Sequence, residues 1–186
     1  VIKDVLIELN LDPQAYNPGA ISNQISEAKS NLLSPTNYAE FGSGDFHEKV
    51  TQIYAQYEKY LKNANALDFD DLLIKAVSVL EDVPTVRNKW QQMLTHILVD
   101  EWQDTNKIQY KLIRLLDGDR GVITAVGDAS QSVYSWRGAD YRNINYLTKD
   151  YPNIKVVNLE QNYRSTQNIL DAANSVISKN TGHPIL

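Results

Sequence analysis

Two adjacent carboxylates, Asp100 and Glu101, follow the apolar run Ile97-Leu98-Val99 and lead into Trp102-Gln103-Asp104. An apolar run that ends in acid reads as a buried parallel strand whose carboxyl end meets a binding crevice, because open α/β sheets gather their ligands there. Successive residues of an extended chain point to opposite sides, so the two acids can do different work. One can hold a magnesium ion while its neighbour orients or deprotonates a water, the Walker B arrangement of nucleotide hydrolysis. The plain alternative is a strand that ends at a surface, with acid placed to suit the N-terminus of the next helix. The neighbouring residues decide between the two.

For the pair to face a crevice, the chain must build a sheet around it. Val122-Ile123-Thr124-Ala125-Val126 is predicted as a second buried strand ending at Gly127-Asp128, and Ile154-Lys155-Val156-Val157-Asn158-Leu159 as a third. Ile108, Leu112, Ile113, Leu115 and Leu116 predict a helix stopped by Gly118. Another helix is expected from about Arg142 to Lys149, and a last one from near Ser165 carrying Ile169, Leu170, Ala173, Val176 and Ile177. Strands alternating with helices over short connections imply right-handed crossovers and a parallel sheet.

The first third of the chain shows no strand signal. Val5, Leu6 and Leu9 form a short amphipathic turn, broken by Pro13 and by Pro18-Gly19. Ile21, Ile25, Ala28 and Leu32 recur at helical spacing, and Ser34-Pro35 caps and starts a short helix through Tyr38 and Phe41. From Phe46 to about Leu61, an apolar stripe of Val50, Ile53, Tyr54, Tyr57, Tyr60 and Leu61 reads as a core-facing helix rather than a base-stacking platform. Asp68 caps a helix running to about Leu80, with Asp70 and Asp71 where the dipole favours anions. Pro84 opens a further helix through Trp90 and Met93.

With 186 residues, 42% of them hydrophobic, the chain can form one core-building domain and a small second lobe. It has no cysteine, which removes disulfides and thiolate metal sites and suits a reducing cytoplasm. No signal peptide or membrane-length apolar run is present, so a cytoplasmic protein with no membrane partner is expected. A net charge of -5 argues against bulk attraction to nucleic acid, so any DNA contact must be local. His47, His96 and His183 show no metal-ligand spacing.

Three strand ends would converge on one sheet edge. The first brings Asp100, Glu101, Gln103 and Asp104, the second Gly127, Asp128 and Gln131, and the third Glu160, Gln161, Asn162, Tyr163 and Arg164. Acids for a metal, glutamines for sensing and arginines for phosphate charge are the groups that phosphoryl transfer requires. Tyr134 and Trp136 are two residues apart, so in an extended segment both rings face one way with Arg137 beside them. Rings flanked by a cation grip single-stranded bases, whereas a lone Trp136 could equally fill the core.

These segments resemble successive motifs of superfamily 1 DNA helicases, of the PcrA, UvrD and Rep type. The likeness is carried by Leu67-Asp68-Phe69-Asp70-Asp71-Leu72, by Val99-Asp100-Glu101-Trp102-Gln103-Asp104-Thr105-Asn106, by Val126-Gly127-Asp128 with Gln131 to Asp140, and by Glu160-Gln161-Asn162-Tyr163-Arg164-Ser165. It implies an α/β fold, a partial RecA-like parallel sheet of the P-loop NTPase type with an N-terminal all-helical accessory subdomain. It implies ATP and magnesium as cofactors, with Asp100 on the metal, Glu101 activating water, Gln131 sensing the γ-phosphate and coupling it to DNA, Tyr163 packing on adenine and Arg164 acting as an arginine finger. Tyr134 and Trp136 would stack on bases, and Arg137 would link their loop to the nucleotide. Partners would be single-stranded DNA and the junction between single and double strands.

The resemblance divides the chain into an accessory subdomain at 1–65, the C-terminal part of a motor domain at 66–164, and a linker helix at 165–186. Trp102 departs from the family's usual tyrosine or phenylalanine, and Ser130 from a common aspartate. No Gly-x-x-x-x-Gly-Lys-Ser/Thr occurs, so the expectation is a fragment of a 3′ to 5′ helicase that is inactive by itself for want of a phosphate cradle. Two other readings stand beside it: a binding-only module for single-stranded DNA, and a magnesium-dependent phosphohydrolase using Asp100 and Asp128.

Overall fold

A computed structural model describes residues 1–132 and 143–179. Its first part is helical, as the sequence predicts. The helices α1 (Ile2–Glu8), α2 (Pro18–Ser30), α3 (Pro35–Glu40) and α4 (Asp45–Asn63) enclose a core of Val5, Leu6, Ile21, Ile25, Ala28, Tyr38, Val50, Ile53 and Tyr54. Pro18, read from sequence as part of a break, is instead the first residue of α2. Its missing N–H costs nothing there, and Asn17 caps the helix by accepting from the backbone N–H groups of Gly19 and Ala20.

Helix α5 (Phe69–Asp82) is started by a capping box, in which Asp68 accepts from the Asp71 N–H and Asp71 accepts from the Asp68 N–H. Both acids also meet Lys29 of α2, whose ammonium lies 2.7 Å from Asp68 Oδ2, Asp71 Oδ1 and Glu58 Oε1 of α4. One buried cation thus fastens α2, α4 and α5 together. Helix α6 (Pro84–Met93) follows, and α7 (Lys107–Asp117) packs against both α5 and α6.

Strand β1 (Ile97–Val99) pairs in parallel with β2 (Ile123–Ala125), Ile97 opposite Ile123 and Val99 opposite Ala125. The order β1, α7, β2 is a crossover unit, as the alternation implies. Helices α8 (Asn143–Asp150) and α9 (Gln167–Ile177) complete the described residues.

Two expectations are corrected. The strands are not buried on both faces: Ile97 and Val99 are half-buried, while Leu98 between them is 77% exposed, so one sheet face is open. The predicted third strand at 154–159 is absent, and among the described residues the sheet has two strands. Its residues have strand-like types, but a strand exists only where a neighbour supplies ladder hydrogen bonds. The structure is therefore mostly helical with a small parallel sheet, a coarser architecture than the one expected.

Candidate functional site

Asp100 and Glu101 follow the last residue of β1 directly, and the hydrogen bonding of the sheet continues beyond the strands to fix them. The N–H of Val126 donates to Val99 O at 2.8 Å, and the N–H of Trp102 donates to Val126 O at 2.9 Å. The two strand ends are thereby laced together on either side of the acid pair. Asp100 is exposed, with Oδ1 accepting from the Glu101 N–H at 2.9 Å.

Glu101 takes a left-handed backbone conformation (φ 50°, ψ 46°), which costs a non-glycine residue about 1–2 kcal/mol. This residue turns the chain out of the strand and into the 3-10 turn Trp102–Asp104. Trp102 anchors that turn: it is buried and meets the Tyr110 ring of α7 edge to face at 5.7 Å.

Beneath the acids lies Gln103, 1% exposed. Its amide nitrogen donates to Glu101 Oε2 at 2.7 Å, and its amide oxygen accepts from the Asp128 N–H at 2.9 Å. The carboxylate only accepts and the backbone N–H only donates, so the amide can sit one way round. Gly127 permits the contact, since a β-carbon there would lie 2.6 Å from Gln103 Oε1.

Asp128 has both carboxylate oxygens engaged, Oδ1 by the Ser130 N–H and Oδ2 by Gln131 Nε2, each at 2.9 Å. It caps the 3-10 turn Ala129–Gln131. Ser130, where the resembled family commonly has aspartate, thus contributes its backbone here. Glu101, Gln103, Asp128 and Gln131 form one hydrogen-bonded line across two strand ends.

The turn that carries Gln103 anchors more of the chain. Thr105 Oγ1 donates to Trp102 O at 2.7 Å, and the buried Asn143 donates from Nδ2 to Thr105 O at 2.7 Å, which pins the start of α8. No sequence pattern singled out Asn143, whose partner lies 38 residues away. A polar residue opening a helix was the one signal available.

The structure brings Asp100, Glu101 and Gln131 into one neighbourhood. Tyr163 is 92% exposed, and among the described residues neither its side chain nor that of Arg164 hydrogen-bonds or pairs with Asp100, Glu101 or Gln131. Tyr134, Trp136 and Arg137, expected to stack on bases and link to nucleotide, lie outside the described residues. Phe69, at the start of α5, is 89% exposed, the kind of ring surface a stacking ligand could use. Among the described residues no cluster of three or more His, Cys, Asp or Glu is poised to hold a metal. Magnesium needs less, since it binds through one or two carboxylates with water and substrate phosphates, and the free end of Asp100 fits that demand.

The family model described as the UvrD/REP helicase N-terminal domain matches residues 1–152. An ATP-dependent DNA helicase PcrA of Leuconostoc citreum is 46% identical over 180 residues, covering 97% of this chain and 24% of that protein. PcrA of Bacillus subtilis is 45% identical over 181 residues, with 97% and 24% covered. The ATP-dependent DNA helicase UvrD1 of Mycobacterium tuberculosis is 45% identical over 186 residues, with 94% and 24% covered. The chain spans about a quarter of the length of the curated relatives it matches.

Proposed function

The chain belongs to the UvrD/REP helicase N-terminal domain family, and from that premise we propose that it is the portion of an ATP-dependent 3′ to 5′ DNA helicase that supplies the hydrolytic acids and their link to DNA. The observation that carries this reading is the joint end of β1 and β2, where Asp100 and Glu101 stand exposed and a hydrogen-bonded line runs from Glu101 to Gln131. A binding-only module has no need of that line. A phosphohydrolase using Asp128 as a metal ligand would share its oxygens with the turn they cap, whereas Asp100 has one oxygen clear of its turn.

Each residue then has a role. Asp100 holds magnesium, whose charge offsets that of the phosphates during transfer. Glu101 takes a proton from the attacking water, Gln131 senses the γ-phosphate, Tyr163 packs on adenine and Arg164 offers positive charge to the γ-phosphate. Tyr134 and Trp136 stack on single-stranded bases, with Arg137 between them and the nucleotide. The sequence contains no Gly-x-x-x-x-Gly-Lys-Ser/Thr, so phosphate cradling is assigned to no residue of this chain.

In this reading the sheet belongs to a RecA-like motor domain at 66–164, with 1–65 an accessory helical subdomain and 165–186 a linker helix. The self-contained core of α1 to α4 supports the first boundary. DNA, single-stranded and at the junction with duplex, is the partner, and the cytoplasm is where it is met. Among the described residues no helix is long and apolar enough to cross a membrane.

The test is Glu101→Gln in the full-length protein. DNA-dependent ATP hydrolysis should fall by about 10²–10⁴-fold, the usual worth of a general base, while ATP binding persists. Hydrolysis at the parent rate would overturn the assignment.

A further inference from the structure

A cleft of about 800 Å³ opens where the C-terminal ends of α2 and α4 meet α5, and none of its lining residues belongs to β1, β2 or the turns that follow them. Its walls are apolar, built by Leu32, Leu33, Pro35, Leu61, Leu67 and Ile74. The buried Lys29 and Asp71 and the half-buried Glu58 line it too, but Lys29 pairs with both carboxylates at 2.7 Å. Three further lysines differ. Lys59 and Lys62 of α4 and Lys75 of α5 are exposed, and among the described residues their ammonium groups have no ion-pair or hydrogen-bond partner. Lys62 lies in the last turn of α4, where it offsets the helix dipole, but Lys75 sits in the middle of α5 and has no such duty. In a chain of net charge -5, four lysines against two acids make this cleft locally positive.

One wall of the cleft is held in a strained form. Helices α2 and α4 end alike: the N–H groups of Leu33 and Leu32 donate to Ala28 O and Lys29 O, and those of Ala66 and Asn65 to Leu61 O and Lys62 O. Such an ending needs a left-handed residue, by preference glycine or asparagine. Asn65 (φ 48°) meets that preference in α4, whereas α2 places Leu32 (φ 61°) there, a bulky side chain for which the conformation is unfavourable. Leucine is a poor choice for the helix end, yet it lines the cleft. Strain kept against the local rule marks a position retained for its side chain.

We propose that the cleft docks an acidic amphipathic segment of a partner protein, whose apolar side chains fill it while flanking carboxylates meet Lys59, Lys62 and Lys75. Apolar anchors laid in a groove, with complementary charge around them, are a common mode of helix recognition. A small ligand fits less well, because the polar groups within the cleft, Lys29, Asp71 and Glu58, are engaged with one another. Nucleic acid also fits less well. The one aromatic ring in the lining is Tyr54, 2% exposed, so bases find no stacking surface beside the lysines.

The test uses the full-length protein and a fluorescent peptide of about 18 residues, long enough to hold a helix, with leucine along one face and glutamate on the other. A second peptide carries lysine in place of glutamate. Anisotropy should show saturable binding of the glutamate peptide, weakening as salt is raised, and none of the lysine peptide. Lys59→Glu combined with Lys62→Glu should weaken the glutamate peptide about tenfold and let the lysine peptide bind. Leu32→Gly should weaken the glutamate peptide by a similar factor while the thermal unfolding midpoint stays level or rises, because glycine suits the helix end. Equal binding of both peptides, or binding unchanged in the lysine variant, would mean general adhesion and overturn the proposal. So would no binding at all, the result expected if another segment of a longer chain fills the cleft. Displacement of the peptide by single-stranded DNA would assign the cleft to nucleic acid, and a lowered midpoint in Leu32→Gly with peptide affinity intact would make Leu32 a packing residue; either result overturns the inference.

Discussion

Lys29 carries its charge with 1% of its surface in solvent, held by three carboxylates from two other segments and by the Tyr57 ring 5.2 Å away. Burial by itself would lower its pKa, but the hydrogen bonds it donates to Asp68, Asp71 and Glu58 outweigh burial and hold it above the usual lysine value. Burial would likewise raise Asp68, and the Lys29 hydrogen bond leads the interactions that bring it below its usual value instead. A carboxylate with a lowered folded-state pKa stabilises the fold above its unfolded value, and that stability is lost as the pH falls through the folded value. Acid should therefore weaken the junction of α2, α4 and α5 from about pH 4 downward. Lys29→Met should cost about 3 kcal/mol at pH 7, because it strands the buried Asp71 and the part-exposed Asp68 and Glu58 without a counter-charge. It should also reverse the sign of the pH dependence. With the ammonium gone, the burial that raises Asp68 is no longer offset by Lys29, so the variant gains stability as the pH is lowered from 7 towards 5. Urea unfolding at both pH values checks the slope; a variant with the parent's slope would show that the cluster is not electrostatically coupled.

The helices were legible because their signals are local: a cap, a period and a stop within a dozen residues. Asp68 starting α5, Ser34-Pro35 starting α3 and Gly118 ending α7 are all visible in sequence. Gly118 shows why such a signal is physical. It lies at φ 59°, and a β-carbon there would also sit 2.2 Å from Gln91 Nε2, which donates to Leu115 O. Gly118→Ala should therefore destabilise the α6 and α7 pairing by about 1–2 kcal/mol from the left-handed backbone alone, with the Gln91 bond lost besides. Gly121→Ala, at φ 68° but in open space, should cost the backbone part only, and comparing the two denaturation midpoints isolates the Gln91 contribution. What sequence could not show was long-range partnership. Asp100, Glu101 and Gln131 were singled out from residue type and strand position, but the Gln103 bridge that links Glu101 to the Asp128 turn needs the register of two strands, its partners 25 residues apart. Lys29 stood unremarked on a helix because its partners lie 29 to 42 residues away. The third strand failed for the same reason, since its residue types favour a strand while its pairing depends on a neighbour that local pattern cannot specify.

The described residues leave apolar side chains exposed both on the sheet and in the segment 154–159. Leu98 faces out from the open face of β1, and Val156, Val157 and Leu159 are all exposed in the segment that sequence marks as a strand. A two-stranded sheet is marginal by itself, and unpaired edges beside apolar surface invite further strands. In the function proposed above, further strands of a longer chain would supply them. In the isolated 186-residue chain another copy is the available source, so self-association is expected at concentrations on the order of 100 μM. The double substitution Val157→Lys with Leu159→Lys should return it to a monomer, because charge on a strand blocks edge pairing. Ile7→Lys replaces an equally exposed residue on α1, remote from any strand, and should leave association unchanged. Sedimentation of the three proteins decides the matter. A parent chain that stays monomeric would mean that residues 154–159 are satisfied without a sheet, and association abolished by Ile7→Lys would move the adhesive surface from the strands to the helical core.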